Sequence, residues 1–279
     1  MKSTWTKSTN QYFGELFEIA LCNELDINTN DFKIDHVFSK DEIDSVKSDA
    51  KCMGDLLRQS IDFNSTDWFY CARSTVSSLG DLSDGSTTIE LKYVNNGSGT
   101  YHNTSINYLN SLGIESYHDF LNRHGYYQEL ARIIPDMKAN TNSNSPFSNE
   151  QSHIIRHTMK SEYAAIEKIE ANIRAKYVSY VVDEICNRNL ADTIFNDFIS
   201  KKKTSNGAYN GIPDFLAICN HRNGSCRVFK KNQLANLSSV SSVKVKGFSI
   251  TINDVMNLVI GWQNGNGLSN PTIRCFLSI

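Results

Sequence analysis

The spacing of apolar residues predicts helices in four parts of the chain. In residues 11–25 apolar side chains recur every three or four positions, which is typical of an amphipathic helix. Residues 48–60 carry a second, weaker helical pattern. Residues 106–134 are predicted to be mainly helical with interruptions at their two glycines, and residues 149–187 to form a long helix that is broken at least once. The apolar positions of the first helix are Phe13, Leu16, Phe17, Ala20 and Leu21.

Short runs that are rich in β-branched and aromatic residues predict strands. Residues 87–94 follow a polar turn at 83–86 and are predicted as a strand, whereas the glycine-rich residues 95–100 are predicted as a loop. Residues 214–219 and 225–229 flank a polar turn, which indicates a β-hairpin. Further strands are predicted at 248–252, 258–262 and 272–279.

This order of elements predicts an α/β or α+β fold in which a central mixed β-sheet is flanked by helices. The polar, aperiodic residues 139–146 are the most linker-like stretch of the chain. We therefore expect a first part, residues 1–140, and a second part, residues 141–279, with a helical segment and a β-rich end. The two parts are expected to form one compact unit.

The composition is that of a globular protein. Of the 279 residues, 40% are apolar and 21% are charged, which suffices for a substantial core. No apolar run approaches the roughly 20 residues that cross a bilayer, and the N-terminal residues lack the apolar stretch of a secretion signal. A cytoplasmic protein without a membrane partner is therefore expected. The seven scattered cysteines contain no CxxC pair, which argues against a disulfide framework or a zinc ribbon.

The charges are distributed unevenly along the chain. Residues 1–140 hold 12 Lys and Arg against 20 Asp and Glu, whereas residues 141–279 hold 16 against 10. From Phe215 onward there are seven basic residues and a single acid, Asp254. Phosphate binding needs a local basic surface rather than a basic average, so the net charge of −2 permits a nucleic-acid partner.

The stretch 80–93 holds the residues with the clearest chemistry. Glu90 and Lys92 are two positions apart on the predicted strand, so their side chains leave the same face. The alternate positions Ile89, Leu91 and Tyr93 can face a core. A carboxylate and a lysine on a strand that is otherwise apolar need an explanation, because burial of either without a partner is costly.

A magnesium site would explain this pattern. Magnesium prefers oxygen ligands and takes one or two protein carboxylates, with water and substrate phosphate completing the shell. An acid before the strand, Asp81 or Asp84, can converge with Glu90 on one ion. The ammonium group of Lys92 can then lie near an attacking water and stabilise the charge that develops on phosphorus oxygens.

Asp81, Glu90 and Lys92 resemble the D…(D/E)xK signature of the restriction-endonuclease-like nucleases. The resemblance covers about a dozen residues, and Gly80 replaces the proline usually found before the acid. It implies a restriction-endonuclease-like core in which the two carboxylates bind Mg²⁺ and the lysine assists the attacking water. Spacing favours Asp81 over Asp84, because only Asp81 leaves room for a turn between paired strands.

The resemblance also implies a glutamate from the N-terminal helix near the metal. On a helical wheel Glu18 lies at the margin of the apolar stripe, whereas Glu15 lies on the opposite, solvated side. Glu18 is therefore the candidate accessory metal ligand, with an ordinary boundary glutamate as the alternative.

Two segments are candidates for DNA contact. The polar loop predicted at 96–105 can let backbone and short side chains approach phosphates and base edges. In the basic tail, lysines and amides suit phosphate contact and base-edge recognition. A second match to the acid motif, Pro213–Asp214, lacks a following ExK and is interpreted as the start of a strand. The candidate DNA-binding residues are Ser98, Thr100, Tyr101, His102, Asn103, Lys244, Lys246, Gln263 and Asn264.

The sequence thus predicts a sequence-specific endonuclease of double-stranded DNA that uses Mg²⁺, of the kind found in type II restriction enzymes. Two alternatives stay open, namely a repair or mobile-element nuclease of the same fold and a non-catalytic DNA-binding protein. A palindromic target would favour a homodimer.

Overall fold

The computed structural model describes residues 9–29, 33–61, 63, 67–71, 80–94, 100–143, 145–200, 211–235, 242–252, 255–262, 265–268 and 271–277. The helices in these ranges are α1 (Thr9–Glu24), α2 (Lys40–Ser60), α3 (Asn107–Ser111), α4 (Tyr117–Arg123), α5 (Tyr126–Ile133), α6 (Asn149–Thr158), α7 (Lys160–Asn187), α8 (Ala191–Ile199) and α9 (Lys231–Ala235). The strands are β1 (Phe69–Tyr70), β2 (Leu82–Ser83), β3 (Thr88–Val94), β4 (Thr100–Ser105), β5 (Phe215–Asn220), β6 (Ser225–Lys230), β7 (Val243–Lys246), β8 (Ser249–Ile252), β9 (Met256–Trp262) and β10 (Pro271–Leu277).

The fold is α+β, as the sequence predicts, with two five-stranded sheets. The chain divides into two compact units: unit 1 comprises residues 1–99, 199–202 and 208–237, and unit 2 comprises the remaining residues. The boundary expected at residue 140 does not coincide with this division. Each unit instead combines strands that are distant in sequence, and hydrophobic patterns do not reveal which strands pair.

Unit 1 contains a mixed sheet with the strand order β1-β2-β3-β5-β6. Only β3 and β5 are parallel, and the remaining pairs are antiparallel. Asp214, just before β5, stabilises the parallel pair, because its Oδ2 accepts hydrogen bonds from the backbone N and Oγ1 of Thr88 at 2.9 and 3.0 Å. Asp214, the acid of the second motif match, thus stabilises the start of a strand, as its sequence context indicates.

The core of unit 1 lies between one face of this sheet and the helices α1 and α2. Ile89 and Leu91 of β3 are buried in it together with Phe17 and Leu21 of α1, as the alternation of the strand and the apolar stripe of the helix predict. The other face of β3 carries Glu90 and Lys92, as the two-residue period of a strand requires.

The start of α2 has a local cause. The Ser39 side chain accepts from the backbone of Glu42, and the Glu42 carboxylate accepts in return from the backbone of Ser39. This capping box fixes a helix start. The helix therefore begins eight residues before the predicted one, in a stretch of low apolar content.

Unit 2 contains an antiparallel sheet with the strand order β4-β10-β9-β8-β7, accompanied by helices α3 to α7. The predicted interruptions of the helical region at Gly113 and Gly125 are confirmed, since both glycines adopt positive φ values of 73° and 75°, which glycine tolerates best. The predicted long helix breaks at Met159, between α6 and α7. No helix within the described ranges is long and apolar enough to span a membrane.

Candidate active site

Asp81 directly precedes β2, where the hairpin of β2 and β3 departs from regular pairing. The register pairs Leu82 with Ile89 and Ser83 with Thr88 and does not extend to Asp81. The backbone N–H of Asp81 donates to the carbonyl oxygen of Ile89 at 2.8 Å. Burial and the nearby negative charge of Glu90 both raise the pKa of Asp81, so the two carboxylates lie close together.

Gly80 allows the strands to approach closely at this point. A Cβ atom at this position would lie 2.5 Å from the carbonyl oxygen of Ile89, a distance at which the backbone would have to shift. This close approach explains why a glycine precedes Asp81 in this chain.

Asp81, Glu90 and Lys92 are each engaged by a neighbour. The Leu91 backbone N–H donates to Asp81 Oδ2 at 2.8 Å, which orients this carboxylate. The Lys92 Nζ forms an ion pair with Glu90 Oε1. The exposed fractions of the two side chains are 23% for Lys92 and 9% for Glu90, so the lysine is the more accessible of the pair.

Glu18 approaches the same cluster from α1. It is buried, and the Tyr70 hydroxyl of β1 donates to its Oε2 at 2.7 Å. Because β1 pairs with β2, Tyr70 lies beside β2, the strand that directly follows Asp81. The carboxylate of Glu18 lies close enough to raise the pKa of Asp81.

The electrostatics of the cluster reflect burial and an excess of negative charge. Burial, followed by repulsion from Glu90 and Glu18, raises the pKa of Asp81 to about 7, against the opposing effects of Lys92 and the Leu91 N–H. For Lys92, burial acts to lower the pKa, but attraction to Glu90 and Asp81 is stronger in sum, and the pKa is raised. Three carboxyl groups therefore face one ammonium group that stays protonated at neutral pH.

Asp84 has a different environment from Asp81. Its Oδ1 accepts hydrogen bonds from the backbone N–H groups of Thr87 and Ser86 at 2.6 and 2.8 Å. These bonds, that of Thr87 first, lower the pKa of the Asp84 carboxyl. Asp84 thus stabilises the turn between β2 and β3, which is the local role that an aspartate before glycine often has.

The predicted DNA-binding residues have varied positions in the structure. Ser98, Gln263 and Asn264 lie outside the described residues. For Thr100 and Lys246 the structure gives only the backbone positions, at the start of β4 and the end of β7.

Three of the other predicted contacts lie on β4. The expectation of an open loop is wrong for residues 100–105, because they pair with β10. Tyr101 and His102 are consequently buried, whereas Asn103 is exposed. Lys244 is also exposed, on the edge strand β7 of the same sheet.

Sequence reasoning missed Tyr70 and Arg227 and misplaced Glu15. Glu15 is only 1% exposed, so its assignment to the solvated side of α1 is wrong, since the helix has polar residues on its buried side. Arg227 of β6 lies on the same sheet face as Lys92, because the registers pair Lys92 with Ile218 and Ile218 with Arg227. The alternation of β6 was visible in the sequence, but its pairing partner was not.

Within the described ranges, no three His, Cys, Asp or Glu side chains are placed to hold a metal ion between them. Glu90 is engaged by Lys92 and Glu18 by Tyr70, so the acids form an electrostatic cluster rather than a preformed cage. No protein-family model matches the sequence, and no curated protein matches it either.

Proposed function

We propose that unit 1 carries the active site of a metal-dependent DNA endonuclease, and that the chain is a sequence-specific enzyme of the type II restriction kind. The observation that supports this proposal is the proximity of Asp81, Glu90 and Lys92 beside the β2–β3 hairpin, in a cluster with unbalanced negative charge. Perturbed pKa values in a cluster of acids are typical of functional sites.

The donor set fits a magnesium ion. Carboxylate oxygens are its preferred protein ligands, and one or two of them suffice. Burial, followed by repulsion from Glu90 and Glu18, raises the pKa of Asp81, and a divalent cation would relieve this repulsion. Asp81 and Glu90 would hold the ion, with Glu18 as an accessory group, and the ion would supply an activated water and neutralise phosphate charge.

The residues of the chain have separable roles in this proposal. The Leu91 N–H orients the Asp81 carboxylate, and Tyr70 orients that of Glu18. Lys92 carries a positive charge whose raised pKa keeps it protonated, so it can donate to an oxygen of the scissile phosphate. Positive charge placed where negative charge develops is a large term in catalysis.

Arg227 supplies a reason to expect a polymeric phosphate substrate. Its position is two strands from Lys92, which corresponds to roughly 10 Å at the usual strand spacing. It is exposed and forms no ion pair with any acid in the described part of the chain. An arginine of this kind suits a neighbouring phosphate of the same DNA strand.

The deciding experiment is incubation of the purified protein with unmethylated phage DNA and MgCl₂. Discrete fragments that are absent in EDTA are expected. Cleavage restricted to branched or damaged DNA would indicate a repair or mobile-element nuclease instead. Sequence-specific binding without any cleavage in Mg²⁺ or Mn²⁺ would contradict the enzymatic proposal and leave a DNA-binding protein.

A further inference from the structure

Three thiols of unit 1 lie close together, two on the sheet and one on α2, which packs against it. The Sγ atoms of Cys219 on β5 and Cys226 on β6 are 3.1 Å apart. Cys52 of α2 forms a hydrogen bond with Cys226. All three are free thiols, and none belongs to the proposed active site.

The geometry of Cys219 and Cys226 suits a disulfide. The two residues are direct partners in the antiparallel register of β5 and β6. Directly opposed residues in such a ladder have Cα atoms about 4.5–5.5 Å apart, within the range of about 4.4–6.8 Å that disulfides adopt. Their side chains share one face, so bond formation needs only a small approach of the sulfur atoms.

The environment also distinguishes the reactive thiol from the buried one. Cys219 is fully buried, Cys226 is half-buried and Cys52 is exposed. A hydrogen bond with Cys219 lowers the pKa of Cys226, against burial and the nearby Asp49 carboxylate. Because the thiolate is the form that reacts with oxidants, Cys226 is the candidate nucleophile and Cys219 the resolving thiol.

We propose that Cys219 and Cys226 form a reversible disulfide on exposure to hydrogen peroxide. The Cys226 thiolate attacks one peroxide oxygen, the O–O bond breaks, hydroxide leaves and a sulfenic acid forms. The Cys219 sulfur then attacks the Cys226 sulfur, the S–O bond breaks, and the Cys219 proton leaves with the hydroxyl group as water. In total two thiols lose two electrons and two protons, and one peroxide becomes two waters.

The test is peptide mapping of the full-length protein after peroxide treatment. Excess peroxide is removed with catalase, remaining thiols are alkylated, and the denatured protein is digested with trypsin without reduction. Because Arg222 lies between the two cysteines, trypsin gives separate peptides 204–222 and 223–227. The expected product is these two peptides joined, two hydrogens lighter than the free pair and separated again by dithiothreitol.

Matched variants identify the pair. Cys219→Ser should abolish the joined peptides, whereas Cys186→Ser, which removes an exposed thiol of unit 2, should leave their yield unchanged. In the unaltered protein, a Cys52–Cys226 link in place of the expected one would overturn the proposal. So would irreversible oxidation of Cys226 alone, or alkylation of both thiols as complete as without peroxide. The result does not depend on whether the protein cleaves DNA.

Discussion

Each unit of the protein buries carboxylates, but the two groups differ in their balance of acids and cations. In unit 2, Glu170 of α7 is fully buried and its Oε1 accepts from the Tyr117 hydroxyl at 2.6 Å and from the Trp262 indole N–H at 2.7 Å. Arg174, one turn further on, lies 3.4 Å from the same oxygen. In unit 1, three acids surround a single lysine.

The difference indicates what each group is for. Glu170 has one cation and two neutral donors, which offset part of the cost of its burial and tie α7 to the sheet, although burial still raises its pKa. The acids around Asp81 have a single lysine between them and repel one another in the folded state, which costs stability. A cluster of acids with too few cations is the arrangement more typical of a functional site.

The largest effect is expected from Lys92→Ala. If Lys92 stabilises charge in the reaction, cleavage should fall by about 10²–10³-fold or more, while specific DNA binding in Ca²⁺ stays within about tenfold. Plasmid cleavage and filter binding measure the two quantities. The control is Lys230→Ala, an exposed lysine of the same sheet, and cleavage by the Lys92 variant at the control's rate would refute the assignment.

Removal of Glu170 should lower the stability of the folded protein. Glu170→Ala leaves Arg174 buried without its partner and should lower the free energy of unfolding by about 3–5 kcal/mol. Urea denaturation followed by tryptophan fluorescence measures this loss. Glu184→Ala, which removes an exposed pair with Arg188 on the same helix, should cost at most about 0.5 kcal/mol. Equal losses would show that burial of Glu170 is not what matters.

The unbalanced acids should give a pH dependence of stability. The folded-state pKa of Asp81 is about 7, above the ordinary value of 3.8, so the folded protein holds a proton that the unfolded chain releases. The resulting stabilisation is present below pH 4 and is lost as the pH rises to about 7. The Tm of Asp81→Asn relative to the unaltered protein should therefore rise over this interval in EDTA.

Asp84→Asn is the control for this titration, because the pKa of Asp84 is lowered rather than raised. Its contribution is present above the ordinary pKa and is lost only as the pH falls further. The Tm difference between this variant and the unaltered protein should stay flat from pH 5 to pH 7, because this interval lies about one pH unit or more above the ordinary aspartate pKa. A rising difference for both variants would mean that Asp81 is not the titrating group.

A smaller effect is expected from Arg227. Loss of one phosphate contact in Arg227→Ala should weaken DNA binding modestly and reduce the log–log salt slope by up to about 0.9. Binding titrations between low and moderate KCl concentrations measure the slope, with Lys230→Ala as the control on the same strand. An unchanged slope for Arg227→Ala would place this side chain away from the DNA.

Most features that the sequence predicts depend on local patterns of neighbouring residues. The strand period placed Glu90 and Lys92 on one face, and the turn chemistry distinguished Asp84 from Asp81, because both depend on near neighbours. The parallel pairing that Asp214 secures joins residues 126 positions apart, and no period encodes a partner at that distance. For the same reason, the sequence does not predict that Lys92 and Arg227 share one face of the sheet.

Predictions for polar residues were wrong where those residues are buried or paired in a sheet. Residues 100–105 contain threonine, tyrosine, histidine and asparagine, and their polarity suggested a loop although strand pairing with β10 satisfies the backbone. Glu15 lies on a side of α1 that a helical wheel assigns to solvent, but it is buried. In both cases tertiary contacts outweighed the local pattern.

The most direct test of the account is a comparison of cleavage by purified Asp81→Asn and Asp84→Asn. Asparagine keeps the side-chain shape but is a neutral and poorer ligand for magnesium. Asp81→Asn should therefore lose Mg²⁺-dependent cleavage, while Asp84→Asn keeps most of it because an amide oxygen can still accept from Ser86 and Thr87. Thermal melts confirm that both variants fold. An active Asp81→Asn beside an inactive Asp84→Asn would contradict the proposed active site.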